Sequence, residues 1–573
     1  MKRLIALALA LVPAALSASD IPIRFFGLTE ELEKNVRAHL AGRKGNPAYT
    51  PRRRLMTSVR EGIKPFGYYR PKVKVRVLKS DDGTVTGVNV AVDPGKRLRL
   101  TEPHLDLQGP ITRESGYVSA LEQIPPVGSP LIHDDYESFR NSIQTLALEL
   151  GYFESAFSRH SLKVSPSEGT GYWDIAFNSG PRYKFGKVNF EGSQIDEEYL
   201  QGLVPFKEGQ PYEHIAFGGL SSNLNATNWF GLVVISPQFD KAKLNPERVL
   251  DIDAHVTPRK QNMIETGVGY ATDIGPHGKL SWTRPWINSK GHSLTAATDI
   301  SPDEQSFEFN YRIPSKSNPL SDYWTLQSGY KRSTLNDTDS SSTAVSAARL
   351  HLTPAGWTRS ISVDWLYDSF TQGSDSSDSQ LIYPTISFSR TRLKGGIMPT
   401  WGDTQRYSLS ISNTAWGSDI DFMRLTAQQS WVRSIGRSHI FVGRWSAGWV
   451  ESGDFDQVPP DLRFFVGGDA TLRGYDYESI SPKNENGELE GGSKMFTVSL
   501  EYQYNFAGNW WTALFFDAGQ SSHDFDFGDI KKGAGAGLRW RSPIGLFKLD
   551  VARAVNDAQE DGWKLYFGLG GAL

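Results

Sequence analysis

Two rhythms of apolar residues divide this chain. Up to about residue 260, apolar residues recur at near-helical spacing in short segments: Leu28, Leu32, Val36 and Leu40, then Phe139, Ile143, Leu146 and Leu150. That spacing places each set on one helix face. Between these segments run short alternating stretches, such as Val73, Val75 and Val77 against Lys72, Lys74 and Arg76. Beyond residue 260 alternation takes over. Phe307, Phe309, Tyr311 and Ile313 alternate with Glu308, Asn310 and Arg312; Tyr407, Leu409 and Ile411 alternate with Ser408, Ser410 and Ser412. Trp563, Leu565, Phe567 and Leu569 alternate with Lys564, Tyr566, Gly568 and Gly570. Period two with one apolar face is the strand signature. The pattern predicts small α+β units followed by a long antiparallel sheet.

The first part repeats. Gly67-Tyr68-Tyr69 leads into a strand at Lys72 to Val77, Gly151-Tyr152-Phe153 into one at His160 to Val164, and Trp229-Phe230-Gly231-Leu232 into Val233 to Ile235. The three glycines stand about 84 and 80 residues apart, and each segment closes on a strand followed by a proline-containing turn. A fixed period with matched punctuation is the mark of repeated modules. We place them at residues 20–94, 95–182 and 183–260, with the sheet region at 261–573. The Lys72, Lys74 and Arg76 face reads as either a solvated strand face or a basic docking face, and Arg52-Arg53-Arg54 as solvated.

Composition changes the picture in one respect. Hydrophobic residues make up 39% of the 573 residues and mean hydropathy is −0.40, which excludes a bundle of membrane helices. A transmembrane barrel escapes that test because only alternate residues face lipid. Lys2 and Arg3, the apolar run Leu4 to Leu16 and the small residues Ser17, Ala18 and Ser19 form the pattern of a secretory signal peptide over residues 1–19. Export, an aromatic fraction of 12% and long Ser/Asp/Gly-rich loops favour a transmembrane antiparallel β-barrel over a soluble sandwich. At about twenty residues per strand with its connection, the region holds about sixteen strands, or fourteen as the fallback.

Candidate chemistry is sparse. No cysteine is present and the eleven histidines are scattered. The helical zinc motif, the nucleophile elbow and the P-loop are all missing from the sequence. Gly533 to Gly537 reads as strand, and Asp524, Asp526 and Asp529 as a solvated acidic loop. We therefore expect no catalytic residue, no metal, no cofactor and no enzymatic activity, although a site assembled from distant residues stays open. A formal charge of −3 gives no excess positive field for a nucleic-acid partner.

One segment stands apart: Arg463-Phe464-Phe465-Val466-Gly467-Gly468-Asp469-Ala470-Thr471-Leu472-Arg473-Gly474-Tyr475, followed by Ser479-Ile480-Ser481-Pro482. It lies in a long interval between strands. These residues resemble the loop that folds back into the lumen in the superfamily of POTRA-plus-barrel outer-membrane assembly proteins. The likeness covers the chain beyond its leader, as three POTRA-like modules, a barrel, the R-G-Y loop and a closing strand. Within the superfamily it is similar to the TamA branch, the outer-membrane subunits of the translocation and assembly module. The count of three matters, because BamA-type relatives carry more modules and two-partner secretion pores usually carry two.

The resemblance implies a partner for the lumen-loop motif Arg473, Gly474 and Tyr475. In this superfamily the loop arginine meets an acidic residue in an F-x-D-x-G strand, matched here by Phe515, Asp517 and Gly519. A guanidinium inside a barrel needs an acceptor, and an aromatic face beside it adds cation–π attraction. The alternative is an exposed turn arginine. A second candidate site is the seam between a first strand carrying Ile264, Val268 and Tyr270 and a last strand carrying Gly568, Gly570 and Gly571. Glycine packs nothing and costs entropy to order, so it weakens the closing strand; equally, it permits curvature. An exposed edge is a template for an incoming strand. The resemblance implies an outer-membrane protein with periplasmic modules, contacting lipid, that inserts or secretes substrates such as autotransporters with a TamB-like inner-membrane-anchored partner. A two-partner secretion pore passing an unfolded chain through the lumen and a passive channel remain as alternatives.

Overall fold

The computed structural model describes residues 22–41, 52–271, 275–524, 529–543, 545–555, 557, 560 and 562–569. The expected leader at 1–19 lies outside the described residues. The chain divides into two compact units, with the boundary running through the third module.

The modules share one plan. The first has β1 (Ile23–Phe26), α1 (Glu30–Ala41), α2 (Arg52–Ile63), β2 (Lys72–Lys79) and β3 (Val85–Asp93). The second has β4 (Arg99–Leu100), β5 (His104–Gln108), α3 (Ser115–Leu121), α4 (His133–Glu149), β6 (Ala156–Ser165) and β7 (Thr170–Asn178). The third has β8 (Lys184–Glu191), α5 (Glu197–Gln201), α6 (His214–Ala226), β9 (Phe230–Pro237), α7 (Phe239–Leu244) and β10 (Val249–Pro258). In each, the last strand is central: the orders are β1-β3-β2 and β8-β10-β9, and β7 pairs with β4, β5 and β6.

Burying the helix stripes on these sheets builds the cores. Leu32 and Val36 of α1 and Leu55, Val59 and Ile63 of α2 pack on Val73, Val88, Val90 and Val92. Gly62 lets the helices approach, since a Cβ there would stand 2.9 Å from the Val36 Cα. Arg52, Arg53 and Arg54 form the exposed first turn of α2. The repeat is less literal than the spacing of its glycines. Gly67 and Gly151 take left-handed φ values of 87° and 83°, whereas Gly231 sits inside β9. Asn228, φ 59°, makes the left-handed step before that strand. Asn tolerates this region better than most residues, so the third module preserves the turn with a different side chain.

Sixteen strands form the barrel in one sheet, as estimated from the sequence, each hydrogen-bonded to its sequence neighbours. They are β11 (Met263–Ala271), β12 (Gly275–Arg284), β13 (Ser293–Ile300), β14 (Glu304–Pro314), β15 (Asp322–Ser333), β16 (Thr338–Leu352), β17 (Thr358–Gln372) and β18 (Asp375–Lys394). Then come β19 (Trp401–Ser412), β20 (Phe422–Ile435), β21 (His439–Ser452), β22 (Lys494–Ala507), β23 (Trp510–Ser522), β24 (Lys531–Ser542), β25 (Gly545–Ala554) and β26 (Trp563–Leu569). The alternation read from the sequence separates an outer row with exposed Phe307, Phe309, Ile386, Phe388 and Leu500 from an inner row with buried Ser340, Ser342, Ser410 and Ser499. Because the chain enters β11 directly from β10, the start of β11 lies at the module end. So do the end of each even-numbered barrel strand and the start of each odd-numbered one.

Candidate functional site: the lumen loop and the seam

Between β21 and β22 the chain turns back into the barrel. Val458, Phe464, Val466, Leu472 and Tyr475 of this loop join Leu366, Leu381, Phe422, Val450 and Met495 of the wall in one apolar cluster. Bridges Phe464↔Gly492, Val466↔Ile480 and Gly468↔Leu472 hold the loop's own shape. Arg463 is its internal staple, donating to the carbonyls of Val458 (2.7 Å), Glu490 (2.7 Å) and Asp456 (2.8 Å).

The tip of the loop carries the ionic site. Arg473 is 2% exposed and Asp517 0%. Arg473 donates through Nε to Asp517 Oδ2 (2.8 Å) and through Nη2 to Asp517 Oδ1 (3.0 Å), a bidentate fork. The Arg473 backbone N–H adds a third bond to Oδ2 at 3.1 Å. The Phe515 ring lies 3.4 Å from the guanidinium carbon. Gly474, at φ 105°, has no room for a side chain, because a Cβ would lie 2.7 Å from the Arg553 carbonyl carbon. Its N–H donates to the Tyr566 hydroxyl (2.8 Å), which donates in turn to the Tyr475 carbonyl (2.6 Å). The loop is thereby tied to the last strand as well as to β23. At Gly519 a Cβ would meet the Phe496 carbonyl oxygen at 2.7 Å, so glycine there allows the close β22–β23 approach.

Several members of the site escaped the sequence reading. Glu501 accepts from Arg473 Nη1 at 2.7 Å, Asp550 accepts from it at 3.3 Å and Ser499 Oγ accepts from Nη2 at 3.2 Å. Arg539, also buried, bonds Asp550 and Glu501. The nest thus sets two guanidinium groups among three carboxylates. Each of Glu501, Arg539 and Asp550 interrupts a strand's inner row with a charge between two outward apolar residues, and that was the available signal. In the run Gly533, Gly535 and Gly537, read only as strand, Gly533 seats the loop itself and the other two seat wall side chains of the nest. A Cβ on Gly533 would run into the Arg473 carbonyl oxygen, one on Gly535 would stand 2.5 Å from Phe515 Cζ, and one on Gly537 would collide with the Asp550 carboxylate.

The seam lies beside this nest. The sheet runs from β11 to β26 as an open path, and no ladder joins its two ends among the described residues. The two strands nonetheless come within 8 Å between Cα atoms. Ile264, Val268 and Tyr270 pair with Trp282, Gly278 and Pro276 of β12 and are 69%, 95% and 57% exposed. Gly568 pairs with Lys548; Gly570 and Gly571 lie outside the described residues.

A sixteen-strand meander with a returning loop, end strands that adjoin without a ladder among the described residues, and serial α+β modules defines a class. Residues 261–572 match the Omp85 superfamily domain, and this chain belongs to that superfamily. Its barrel is an outer-membrane barrel and its modules are periplasmic. Residues 23–94 match the family described as POTRA domain TamA domain 1, and residues 183–259 the POTRA family described as surface antigen variable number repeat. The chain is 25% identical over 457 residues to the outer membrane protein assembly factor BamA of Nitratidesulfovibrio vulgaris, covering 72% of this chain and 55% of that one. It is 21% identical over 593 residues to the same factor from Neisseria meningitidis, covering 88% and 71%. The chain thus spans about half the length of the first relative. BamA from Haemophilus ducreyi lacking POTRA domains 1–3 shares the fold, with a TM-score of 0.67, 18% identity, and coverage of 83% of this chain and 99% of that one.

Proposed function

We propose that this chain is a TamA-type assembly factor that inserts or secretes β-barrel substrates, autotransporters among them, by templating their strands on the free edge of β11. The observation that carries this reading is the seam: β11 and β26 stand side by side with no ladder between them among the described residues, while every other barrel strand is paired on both sides. An unpaired row of N–H and C=O groups recruits an incoming strand, and pairing there satisfies groups that would otherwise face lipid. The match of residues 23–94 to a TamA POTRA domain supports the branch, and the relatives named as assembly factors support the class. In this reading the lumen is not the route, because the loop packs an apolar cluster across it. The periplasmic modules receive substrate segments or a TamB-like partner by adding a strand to their sheets, the mode open to any exposed sheet edge. No catalytic group takes part.

The test is photo-crosslinking from a reactive residue at Val268 in cells secreting an autotransporter. Capture of the substrate's own barrel strands is the expected result. If only inward positions, such as Glu265 or Thr283, captured an extended passenger segment, seam templating would be wrong and a secretion pore would take its place.

A further inference from the structure

The outer face of the barrel is not uniform at its periplasmic end. On β18 the outward row that begins with Ile386 and Phe388 continues as Arg390, Arg392 and Lys394, and its β19 partners run Tyr407, Gln405, Asp403 and Trp401. Trp401 in turn faces Arg433 of β20. The Trp401 ring has the Arg433 guanidinium carbon at 4.8 Å, that of Arg392 at 5.4 Å and Lys394 Nζ at 5.5 Å. Asp403 fixes Arg392 by a fork at 2.7 and 3.0 Å and lies 3.8 Å from Arg433. Arg390 stacks at 4.5 Å on Trp357, and its buried Nε has no hydrogen-bond partner among the described residues. Four cations therefore share one carboxylate.

Directly up the same strands lies a groove of about 770 Å³, lined by Ile386, Phe388, Tyr407, Leu409, Leu425 and Trp449. Phe388 and Arg392 are four residues apart, about 13 Å at the rise of an antiparallel strand. Beside the seam, the same end of the barrel is built differently. Trp510, Trp540 and Phe547 stack in a row at centroid distances of 5.4 and 5.1 Å, and Phe567 tilts against Phe547 at 6.2 Å, with no cation over these rings among the described residues.

We propose that this wall of the barrel holds an anionic phospholipid of the periplasmic leaflet, its phosphate among Arg390, Arg392, Lys394 and Arg433 and an acyl chain in the groove above. The chemistry fits at each level. The groove is apolar and faces lipid. The cations stand where the headgroups lie, with stems laid along the wall and charged ends in the polar layer. Trp401 and Trp357 hold the guanidinium groups in place by cation–π contact, so little order is lost when a phosphate arrives. A zwitterionic headgroup brings its own ammonium into this cation-rich site and gains less. The ligand sits on strands β18 to β20, near the middle of the sixteen-strand path and so far from both of its ends. It would fix the bilayer to the wall that does not open.

The experiment uses the full chain in nanodiscs of equal phosphatidylglycerol and phosphatidylcholine, with the retained lipids counted by native mass spectrometry. We expect wild type to retain phosphatidylglycerol over phosphatidylcholine by about tenfold, in keeping with the attraction of several basic side chains to anionic lipid. R392Q/K394Q/R433Q should lose that preference while its heat-modifiable gel mobility shows a folded barrel, and K72Q/K74Q/R76Q in the first module should keep it. Ala427→Trp, which fills the groove, should lower retention of intact lipid but leave competition by soluble glycerophosphoglycerol unchanged. Equal retention of the two lipids by wild type would overturn the proposal without any variant. So would an undiminished preference in the folded triple variant, or retention by Ala427→Trp equal to wild type.

Discussion

Strands β24 and β26, both near the end of the chain, use glycine in opposite ways. In β24 the space above Gly533, Gly535 and Gly537 is filled by the Arg473 carbonyl, the Phe515 ring and the Asp550 carboxylate. In β26 a Cβ on Gly568 would meet nothing within 4 Å. The first set of glycines is a mould for the loop backbone at Gly533 and for nest side chains at Gly535 and Gly537; at Gly568 the space is open. The same residue type therefore serves close packing in β24 and, one strand beyond β25, stands beside open space. Composition cannot separate these uses, because what decides is whether another segment arrives to occupy the missing side chain.

The comparison breaks first at the ion pair. Arg473→Ala leaves Asp517 buried without its partner and should cost about 3–5 kcal/mol, read as a lower midpoint in urea unfolding from lipid; an unchanged midpoint would mean that the nest is wet. Asp517→Asn should cost less than Asp517→Ala, because the amide still accepts from the Arg473 backbone N–H. Gly533→Ala and Gly537→Ala come next. Each forces a methyl group into an occupied position and should destabilise by about 1–3 kcal/mol, with the loop becoming sensitive to added protease. Gly568→Ala should shift the midpoint by no more than about 0.5 kcal/mol. A larger loss there would show that β26 is as closely fitted as β24.

The smallest effect lies in the periplasmic modules, where an ionic cluster sits nearer water. Glu154 accepts from the Tyr183 hydroxyl at 2.8 Å and pairs with Arg248 at 2.7 Å. The Tyr183 hydrogen bond, then Arg248, hold its carboxyl below the usual carboxylate range, while burial and Glu154 push the Tyr183 hydroxyl up to about 12. A carboxyl with a lowered pKa in the folded state adds stability above its ordinary value near 4.5, lost as pH falls through the lowered one. Hydrogen exchange around Glu154 should therefore rise as pH falls below about 4.5. Tyr183→Phe should flatten that rise, and an identical rise in the variant would exclude the pair as its source.

Fold was legible wherever one physical rule governed a whole segment. Alternation gave the barrel because every strand must show lipid one face, and the length of the region gave its strand number. The four-residue stripe gave α1 and α4 because each buries one side. The nest was only half legible. Arg473, Gly474 and Tyr475 sit in a motif, and Phe515 and Asp517 in a second one. Glu501, Arg539 and Asp550 stand alone among ordinary strand residues, and the register of neighbouring strands brings them together, Asp550 facing Gly537 two residues from Arg539. Gly519 carries the motif's spacing, and its missing side chain makes room for Phe496 and Thr497 of β22. The third repeat was misaligned for a similar reason: the conserved quantity was a left-handed turn, and Asn228 supplies it in place of a glycine.

The meander has a consequence for the order of assembly. Each barrel ladder joins strands adjacent in sequence, so the wall can grow one hairpin at a time with little loop-closure entropy at each step. The loop obeys a different clock. Its bonds reach 44 residues ahead to Asp517 and 92 ahead to Tyr566, and the second partner exists only when the last strand is in place. Seating of Gly474 is thus complete only when the sixteenth strand has docked and Tyr566 is in place. In pulsed hydrogen exchange during refolding, the Gly474 amide should gain protection after the amides of β12 to β20; earlier protection would mean that the loop templates the wall instead.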